Sequence, residues 1–194
     1  MKKLSFFLLT ATLFIFIRQA DACVGRTLYI GTLNSPHEQL LSEMLSVLIN
    51  GRTGTTVEIK YYKDIEELYS AIKKNEVGIT IENTDRAMEI LAMPKEENPE
   101  KAYNILKEAF RNNLNLVWLN PFGILPVSEG GKKYYYGPVI TADVLANFPA
   151  LPRVINKLSG VVNEETFLKL VKAVFSGEKP KKVARDFLKA RKLI

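Results

Sequence analysis

Short apolar runs alternate with amphipathic stretches along the first half of the chain. Residues 27–31 have the apolar character of a short buried strand, and residues 56–62 alternate apolar and polar side chains as a half-buried strand does. Further strands are predicted at 77–81 and 114–119. Because helical stretches separate these strands, the pattern predicts an α/β fold with a mainly parallel sheet and helices on both faces.

The helices of this half begin with recognisable signals. Ser35 is placed to cap a helix, Pro36 stands at its first position and Glu38 follows three residues after the cap. Asp64 begins the next predicted helix, and the Asn98-Pro99 step begins another. The first of these helices has one apolar face, formed by Leu40, Leu41, Met44, Leu45, Leu48 and Ile49.

The pattern changes after Pro121. Residues 121–137 are rich in Gly, Pro, Ser and Lys and end in Tyr134-Tyr135-Tyr136. Beyond Ile140 the chain is predicted to be wholly helical. Its short helices begin at Thr141, at Asn163 and at the Lys179-Pro180 step.

The first 22 residues have the pattern of a removable signal peptide. Lys2 and Lys3 precede an apolar run from Ser5 to Ile17, and Ala20-Asp21-Ala22 supplies a small-x-small cleavage pattern. The run is short for a helix that must cross about 30 Å of hydrocarbon. The sequence therefore predicts an exported protein, periplasmic or extracytoplasmic, with a mature domain over residues 23–194.

Cys23 is the single cysteine and would become the first mature residue. This position leaves open a lipoprotein anchor, but Ala20 stands where a lipoprotein signal normally has Leu, so simple secretion is favoured. A lone thiol has no partner for a disulfide within the chain.

Composition and motifs do not point to an enzyme or to a nucleic-acid-binding protein. The net charge is only +6, and the basic stretch 179–192 alternates with apolar residues like a helix with a solvated basic face. We find no Ser-His-Asp or Cys-His set, no His/Cys metal spacing and no Gly-rich phosphate loop, so no catalytic residue, metal or cofactor is predicted. His37, the only histidine, is expected to be solvated.

Several segments, in order, resemble the substrate-binding proteins of glycine betaine/choline/proline ABC importers. Ile81–Thr84 falls where that family usually has P-E-Y-T, and residues 101–103 with 116–121 resemble its K-A-Y … V-W-L-x-P segment. The other similar segments are Ile30–Gln39, Pro138–Ile140, Asp143–Leu145, Phe148–Leu151, Asn156–Gly160 and Lys182–Leu188.

The resemblance implies a periplasmic-binding-protein-like (type II) lobe with a helical C-terminal region. Family members have two lobes, and the second is inserted between the V-W-L-x-P strand and the P-V-V segment. In this chain that interval, 121–137, holds only 17 residues, which make a loop or hairpin rather than a lobe. We therefore expect one lobe, with a short loop in place of the second.

The resemblance also implies a ligand and a partner. The ligand would be a small quaternary-ammonium or zwitterionic solute, held over aromatic rings by cation–π attraction, and the partner would be a membrane-embedded ABC permease. Asn34, Thr84 and Tyr136 are the predicted ligand-binding residues. Leu33 and Asn83 replace the Lys and Tyr that the family has at contact positions.

Two of these residues have alternative interpretations. Thr84 is placed either to cap the helix that follows it or to touch a ligand, and the cap is favoured. Tyr136 either packs on the lobe or contacts ligand. Trp118, in an apolar strand, is predicted to be in the core. A different class of function also stays open: an interaction or accessory protein built on a single lobe, which self-associates through its exposed groove face.

Overall fold

The computed structural model describes residues 27–126 and 131–194. The predicted signal peptide, residues 1–22, and Cys23 lie outside the described residues. None of the described helices is both long enough and apolar enough to span a membrane.

The described residues form six strands in one sheet, in the order β2-β1-β3-β6-β4, with β5 paired to β6. Their bounds are β1 Leu28–Leu33, β2 Val57–Tyr62, β3 Ile79–Asn83, β4 Leu116–Trp118, β5 Gly123–Pro126 and β6 Lys133–Thr141. β1 pairs in parallel with β2 and β3. β6 pairs antiparallel with β3, β4 and β5, so five strands share one direction and β6 alone runs against them.

The antiparallel β6 is the feature of the sheet that the sequence pattern did not predict. The tyrosine run and the Pro138–Ile140 segment are parts of one nine-residue strand that continues through Gly137. Range 121–137 contains β5 and the first part of β6, while residues 127–130 lie outside the described part of the chain. An antiparallel neighbour needs no helical crossover, so the helix–strand alternation gave no sign of it. The division into one lobe with a shortened insertion stays a prediction.

Eight α-helices are present among the described residues: α1 Pro36–Thr53, α2 Ile65–Lys73, α3 Thr84–Ile90, α4 Pro99–Leu114, α5 Ala142–Asn147, α6 Leu151–Ile155, α7 Glu164–Phe175 and α8 Pro180–Ala190. A 3-10 turn, Asn156–Leu158, follows α6. The predicted caps Ser35, Asp64, Asn98, Thr141 and Asn163 are confirmed, because each side chain accepts a hydrogen bond from a backbone N–H in the first turn.

The two faces of the sheet each carry an apolar cluster. Ile30, Ile79 and Ile81 pack on one face with residues from α1, α6, α7 and α8. Val77, Trp118 and others pack on the opposite face with residues from α2, α3 and α4. Trp118 is buried, as predicted. Because side chains alternate along each strand, both faces of the sheet present apolar residues, and helices cover both faces. The ends of the strands are where polar groups are found.

Candidate functional site

The predicted site residues meet at the end of the sheet where β1 and β3 finish. β1 and β3 pair with Ile30 opposite Ile79, so the same register places Asn34 level with Asn83. Asn83 is in turn paired with Tyr136 of β6. We call this region, residues 33–38, 82–86 and 134–136, the carboxyl edge. It holds Asn34, Thr84 and Tyr136 together, although they are distant in sequence.

Asn34 lies on the exposed rim of this edge. Its side-chain Oδ1 accepts a hydrogen bond from Gln39 Nε2 at 2.6 Å. Because Gln39 belongs to α1, this bond ties the loop after β1 to the helix that follows. Asn34 is therefore held in place at the surface, where its amide stays accessible to solvent.

Thr84 is the first residue of α3, and the structure corrects its interpretation as a cap. The cap is Asn83, whose Oδ1 accepts from the backbone N–H of Arg86 at 2.9 Å. Thr84 itself is only 1% exposed, and its hydroxyl oxygen has no hydrogen-bond partner among the described residues. A buried polar atom without a partner costs free energy unless something satisfies it, and a contact of Thr84 with ligand stays a prediction.

Tyr136 is buried at the centre of the carboxyl edge, with 4% of its surface exposed. Burial raises the pKa of its phenol to about 12, against the effects of the Arg86 charge and of a hydrogen bond with Asn83, which lower it. The phenol is therefore neutral at physiological pH. This burial agrees with the packing interpretation, and a contact with ligand stays a prediction.

A buried charged cluster at this edge was missed by the sequence analysis. Arg86 of α3 lies between Glu82 at the end of β3 and Glu38 in the first turn of α1. Its Nε donates to both carboxylate oxygens of Glu82, at 3.0 and 3.1 Å, and its Nη2 donates to Glu82 Oε1 at 2.9 Å. Its Nη1 donates to Glu38 Oε1. We call these three residues the Glu38–Arg86–Glu82 triad.

The triad pairs two almost dry carboxylates with one partly buried guanidinium. Glu82 is fully buried and Glu38 nearly so. Burial raises the pKa of Glu82, and the Arg86 guanidinium opposes that shift. Burial alone would lower the pKa of Arg86, but the carboxylates of Glu82 and Glu38 outweigh it and raise the pKa, so Arg86 stays charged. The second oxygen of Glu38, Oε2, has no hydrogen-bond partner in the described part of the chain.

His37 lies beside the triad and is more enclosed than the solvated position predicted for it. Its ring centroid is 5.4 Å from that of Phe167 and 6.2 Å from that of Phe175, both on α7. Burial lowers the pKa of His37, and the neighbouring Glu38 carboxylate opposes this. Phe175 remains 66% exposed at the rim. The carboxyl edge thus has an aromatic flank on the side of α7.

The opposite end of the sheet contains cavities of a different character. One, of about 340 Å³, is lined by residues such as Thr27, Gly78 and Val144, and another, of about 460 Å³, lies beside it. We call this end the amino edge. Asn34, Thr84 and Tyr136 line neither cavity. Among residues 27–126 and 131–194, no group of three or more His, Cys, Asp or Glu side chains is placed to hold a metal ion.

Comparisons by sequence alone find no relative. No protein-family model matches the chain. No curated protein matches it significantly either. The remaining comparison is with solved structures.

Solved structures give clear matches. The structure of a glycine betaine/carnitine/choline ABC transporter matches with a TM-score of 0.76 and 15% identity, over 87% of this chain and 98% of that one. Apo YehZ from Escherichia coli matches with a TM-score of 0.75 and 13% identity, over 88% of this chain and 100% of that one. Lactococcal OpuAC, closed and complexed with glycine betaine, matches with a TM-score of 0.57 and 7% identity, over 87% and 97%.

These neighbours are transport proteins for small solutes rather than enzymes. Identities of 7–15% establish a shared fold and leave ligand specificity to other evidence. The resemblance that the sequence indicated is confirmed in three dimensions: the chain has the α/β fold of periplasmic binding proteins, and its structural neighbours include those of glycine betaine and choline ABC transporters.

Proposed function

We propose that this protein is the extracytoplasmic solute-binding component of an ABC importer for quaternary-ammonium or similar zwitterionic compatible solutes, with weakened ligand recognition. The observation that carries the proposal is the meeting of Asn34, Thr84 and Tyr136 at the carboxyl edge of a fold shared with glycine betaine and choline transport proteins. In open α/β sheets, ligands bind at the carboxyl ends of the strands.

The chemistry of this edge suits a cation. The triad carries two carboxylates for one guanidinium, and the site is nearly dry, so its excess negative charge attracts a positive group. Tyr136 brings an aromatic ring to this edge, although its burial leaves available only a part of the about 0.5–2 kcal/mol that a cation gains over an open ring face. The hydroxyl of Thr84, without a partner in the described structure, is a donor for the carboxylate of a zwitterionic solute.

The same edge explains why recognition would be weak. Leu33 and Asn83 stand where family members have a lysine and a tyrosine. Asn83 is engaged as a helix cap, and Tyr136 offers little accessible ring surface. A single lobe also leaves one side of a bound solute in water, which weakens every electrostatic contact on that side. We infer that this protein takes its solute at the outer surface of the edge, in cooperation with the permease.

Calorimetric titration of the purified protein with glycine betaine, choline, carnitine and proline tests the proposal. We expect heat of binding with at least one of them at millimolar concentration. Thr84→Val removes the buried hydroxyl with little change of volume and should weaken this binding. Asp143→Ala, an exposed change that borders both amino-edge cavities, is the matched control and should leave the binding unchanged. The proposal fails if none of the four solutes gives heat.

A second candidate is an interaction protein that uses the same face without a solute. It is favoured by Phe175, which is 66% exposed and meets the His37 ring edge-on at the rim of the carboxyl edge. Aromatic side chains are enriched in protein–protein interfaces relative to the rest of the surface. This candidate predicts a concentration-dependent dimer in sedimentation that Phe175→Ala abolishes, or co-purification with a membrane permease. A strictly monomeric, solitary protein would exclude it.

A further inference from the structure

The cation that the carboxyl edge attracts is already present in the chain. The guanidinium of Arg86 donates to both oxygens of Glu82, to Glu38 and to the backbone carbonyl of Ile81, the last at 2.8 Å. These acceptors belong to β3 and to α1, and Glu38 is 48 residues away along the chain. The guanidinium therefore fills a site whose walls come from other elements of the fold.

The backbone positions of Glu38 and Glu82 are fixed by contacts other than those with Arg86. Glu82 is the fourth residue of β3, in register with Gly137 of β6, and its backbone is fixed by the sheet. Glu38 is fixed in the first turn of α1, where its N–H donates to the Ser35 cap at 3.3 Å. Removing the Arg86 side chain would thus leave two carboxylates facing the same vacated volume.

The triad has two carboxylates for one guanidinium, which is more acidic groups than a simple ion pair needs. One carboxylate is enough to neutralise one guanidinium, and a second buried carboxylate adds a desolvation cost. Glu38 is 4% exposed, and its Oε2 accepts no hydrogen bond from any described residue. A nearly buried carboxylate oxygen without a donor is an acceptor that a bound cation with N–H groups would satisfy.

The site coincides with the predicted ligand position. Arg86 follows Thr84 by two residues, and its backbone N–H is held by Asn83. Tyr136 is paired with Asn83 across the sheet. The guanidinium therefore lies among the residues that the resemblance assigns to the solute.

We propose that Glu38 and Glu82 form a cation-binding site that Arg86 occupies as a tethered guanidinium, so that an external cation binds only by displacing it. This inference rests on the proposed function in one respect: it takes the carboxyl edge as the place where a solute binds. The ligand class is set by the acceptors. A planar guanidinium reproduces the paired hydrogen bonds to Glu82, whereas a quaternary ammonium has no N–H to donate. The emptied site would prefer guanidinium compounds.

The test compares the full wild-type protein with Arg86→Ala by calorimetric titration, with methylguanidinium chloride and glycine betaine as the probes. We expect methylguanidinium to bind Arg86→Ala at least about tenfold more tightly than the wild type, because the competing side chain is gone. Arg86→Ala with Glu82→Gln should lose this gain. Arg111→Ala, a change of an exposed arginine on α4, is the matched control and should show no gain.

Stability gives a second readout, in case Arg86→Ala folds poorly. A ligand that binds only the folded state raises the melting temperature with concentration, and it restores the fold of a variant that is unfolded without it. We expect methylguanidinium to do this for Arg86→Ala, and more strongly than tetramethylammonium at equal ionic strength. Arg86→Gln, whose shorter uncharged side chain leaves the outer part of the site empty, should behave alike. If methylguanidinium has no specific effect on either variant, the inference is wrong.

The outcomes separate this inference from the proposed function. If the wild type and Arg86→Ala bind glycine betaine equally well and neither prefers methylguanidinium, the solute-binding function stands and the tethered-cation inference falls. If no variant binds glycine betaine but Arg86→Ala binds methylguanidinium, the inference stands and the assigned solute class falls. A gain equal to that of Arg111→Ala overturns the inference.

Discussion

The two ends of the sheet differ in the cavities that they border and in the polar groups that they bury. The amino edge has open cavities of about 340 and 460 Å³, but the charged side chains that line them, Asp143 and Lys73, are exposed. The carboxyl edge also borders a cavity, of about 320 Å³, at Asp85 and Tyr134, and it holds two buried carboxylates, a largely buried guanidinium and unpaired oxygens of Thr84 and Glu38. None of these three cavities is lined by the predicted ligand-binding residues Asn34, Thr84 and Tyr136. We therefore predict the position of a ligand site from the buried polar groups rather than from the size of a cavity.

The largest expected effect of a single change is at the carboxyl edge. Glu82→Ala removes the carboxylate that receives most of the hydrogen bonds of Arg86 and leaves that guanidinium with Glu38 and the backbone carbonyl of Ile81. Breaking a buried ion pair from one side costs about 3–5 kcal/mol. Urea denaturation should show a loss of unfolding free energy in that range.

The matched control for Glu82→Ala is an ion pair that is not buried. Lys133 contacts Glu164 at 2.5 Å, and both side chains are substantially exposed. Lys133→Ala should change the unfolding free energy by only about 0–1 kcal/mol. If both changes lower the unfolding free energy by the same amount, the triad stabilises the fold no more than an exposed ion pair does. The contrast between the two edges then disappears.

The amino edge should respond to volume instead of charge. A Cβ added at Gly78 would lie 2.3 Å from a methyl carbon of Val144, too close for either side chain to stay in place. Overpacking of this kind costs about 1–3 kcal/mol, so Gly78→Ala should lower the melting temperature. Adding Val144→Ala removes the clashing methyl and should recover part of the loss. Full additivity of the two changes would contradict the steric explanation.

The phenol of Tyr136 sharpens the comparison on a smaller scale. Its hydroxyl is buried beside Asn83, and the hydrogen bond between them is a neutral one. Tyr136→Phe should therefore cost about 0.5–1.5 kcal/mol of unfolding free energy. Tyr61→Phe, at an exposed ring, is the control and should be close to neutral. A neutral or stabilising Tyr136→Phe would mean that the carboxyl edge does not depend on this hydroxyl.

The smallest effect is a pH dependence from His37. Its pKa in the folded state is lowered from 6.5 by burial, against the effect of Glu38. Between the folded and the unfolded pKa, the unfolded chain binds more protons, so the unfolding free energy falls as the pH falls from about 6.5 through the folded value. His37→Gln should reduce this slope. Urea denaturation of the wild type and of His37→Gln at about pH 7.5 and about pH 5 measures this slope. Both proteins have the same carboxylates, so the difference between their two slopes is the contribution of His37.

The sequence predicted those parts of the fold that depend on local signals. Ser35, Asp64 and Asn163 were identified as caps because a capping side chain bonds within its own first turn. The α3 cap was assigned one residue late, to Thr84 instead of Asn83, since both residue types cap helices and only the backbone geometry distinguishes them. The three predicted ligand-binding residues came from the family resemblance and not from a local signal.

Features that depend on contacts between distant segments were not predicted. Arg86 and Glu82 are four residues apart, but they lie on different elements, so no helical pairing rule pointed to them. In the sequence, Glu38 is explained by its place three residues after the Ser35 cap. Its ion pair with Arg86 appears only when α1 and α3 come together in the fold. The antiparallel β6 was missed for a similar reason, because its partners β3, β4 and β5 come from three separate parts of the chain.

The most direct test of the central claim is a map of where a solute meets the protein in solution. Backbone amide chemical shifts of the labelled protein would be followed while glycine betaine or choline is added to millimolar concentration. The account predicts that the largest changes cluster at the carboxyl edge, at Asn34, Asn83, Thr84 and Tyr136. Changes centred instead on Thr27, Gly78 and Val144 would place the solute in the amino-edge cavity and contradict it.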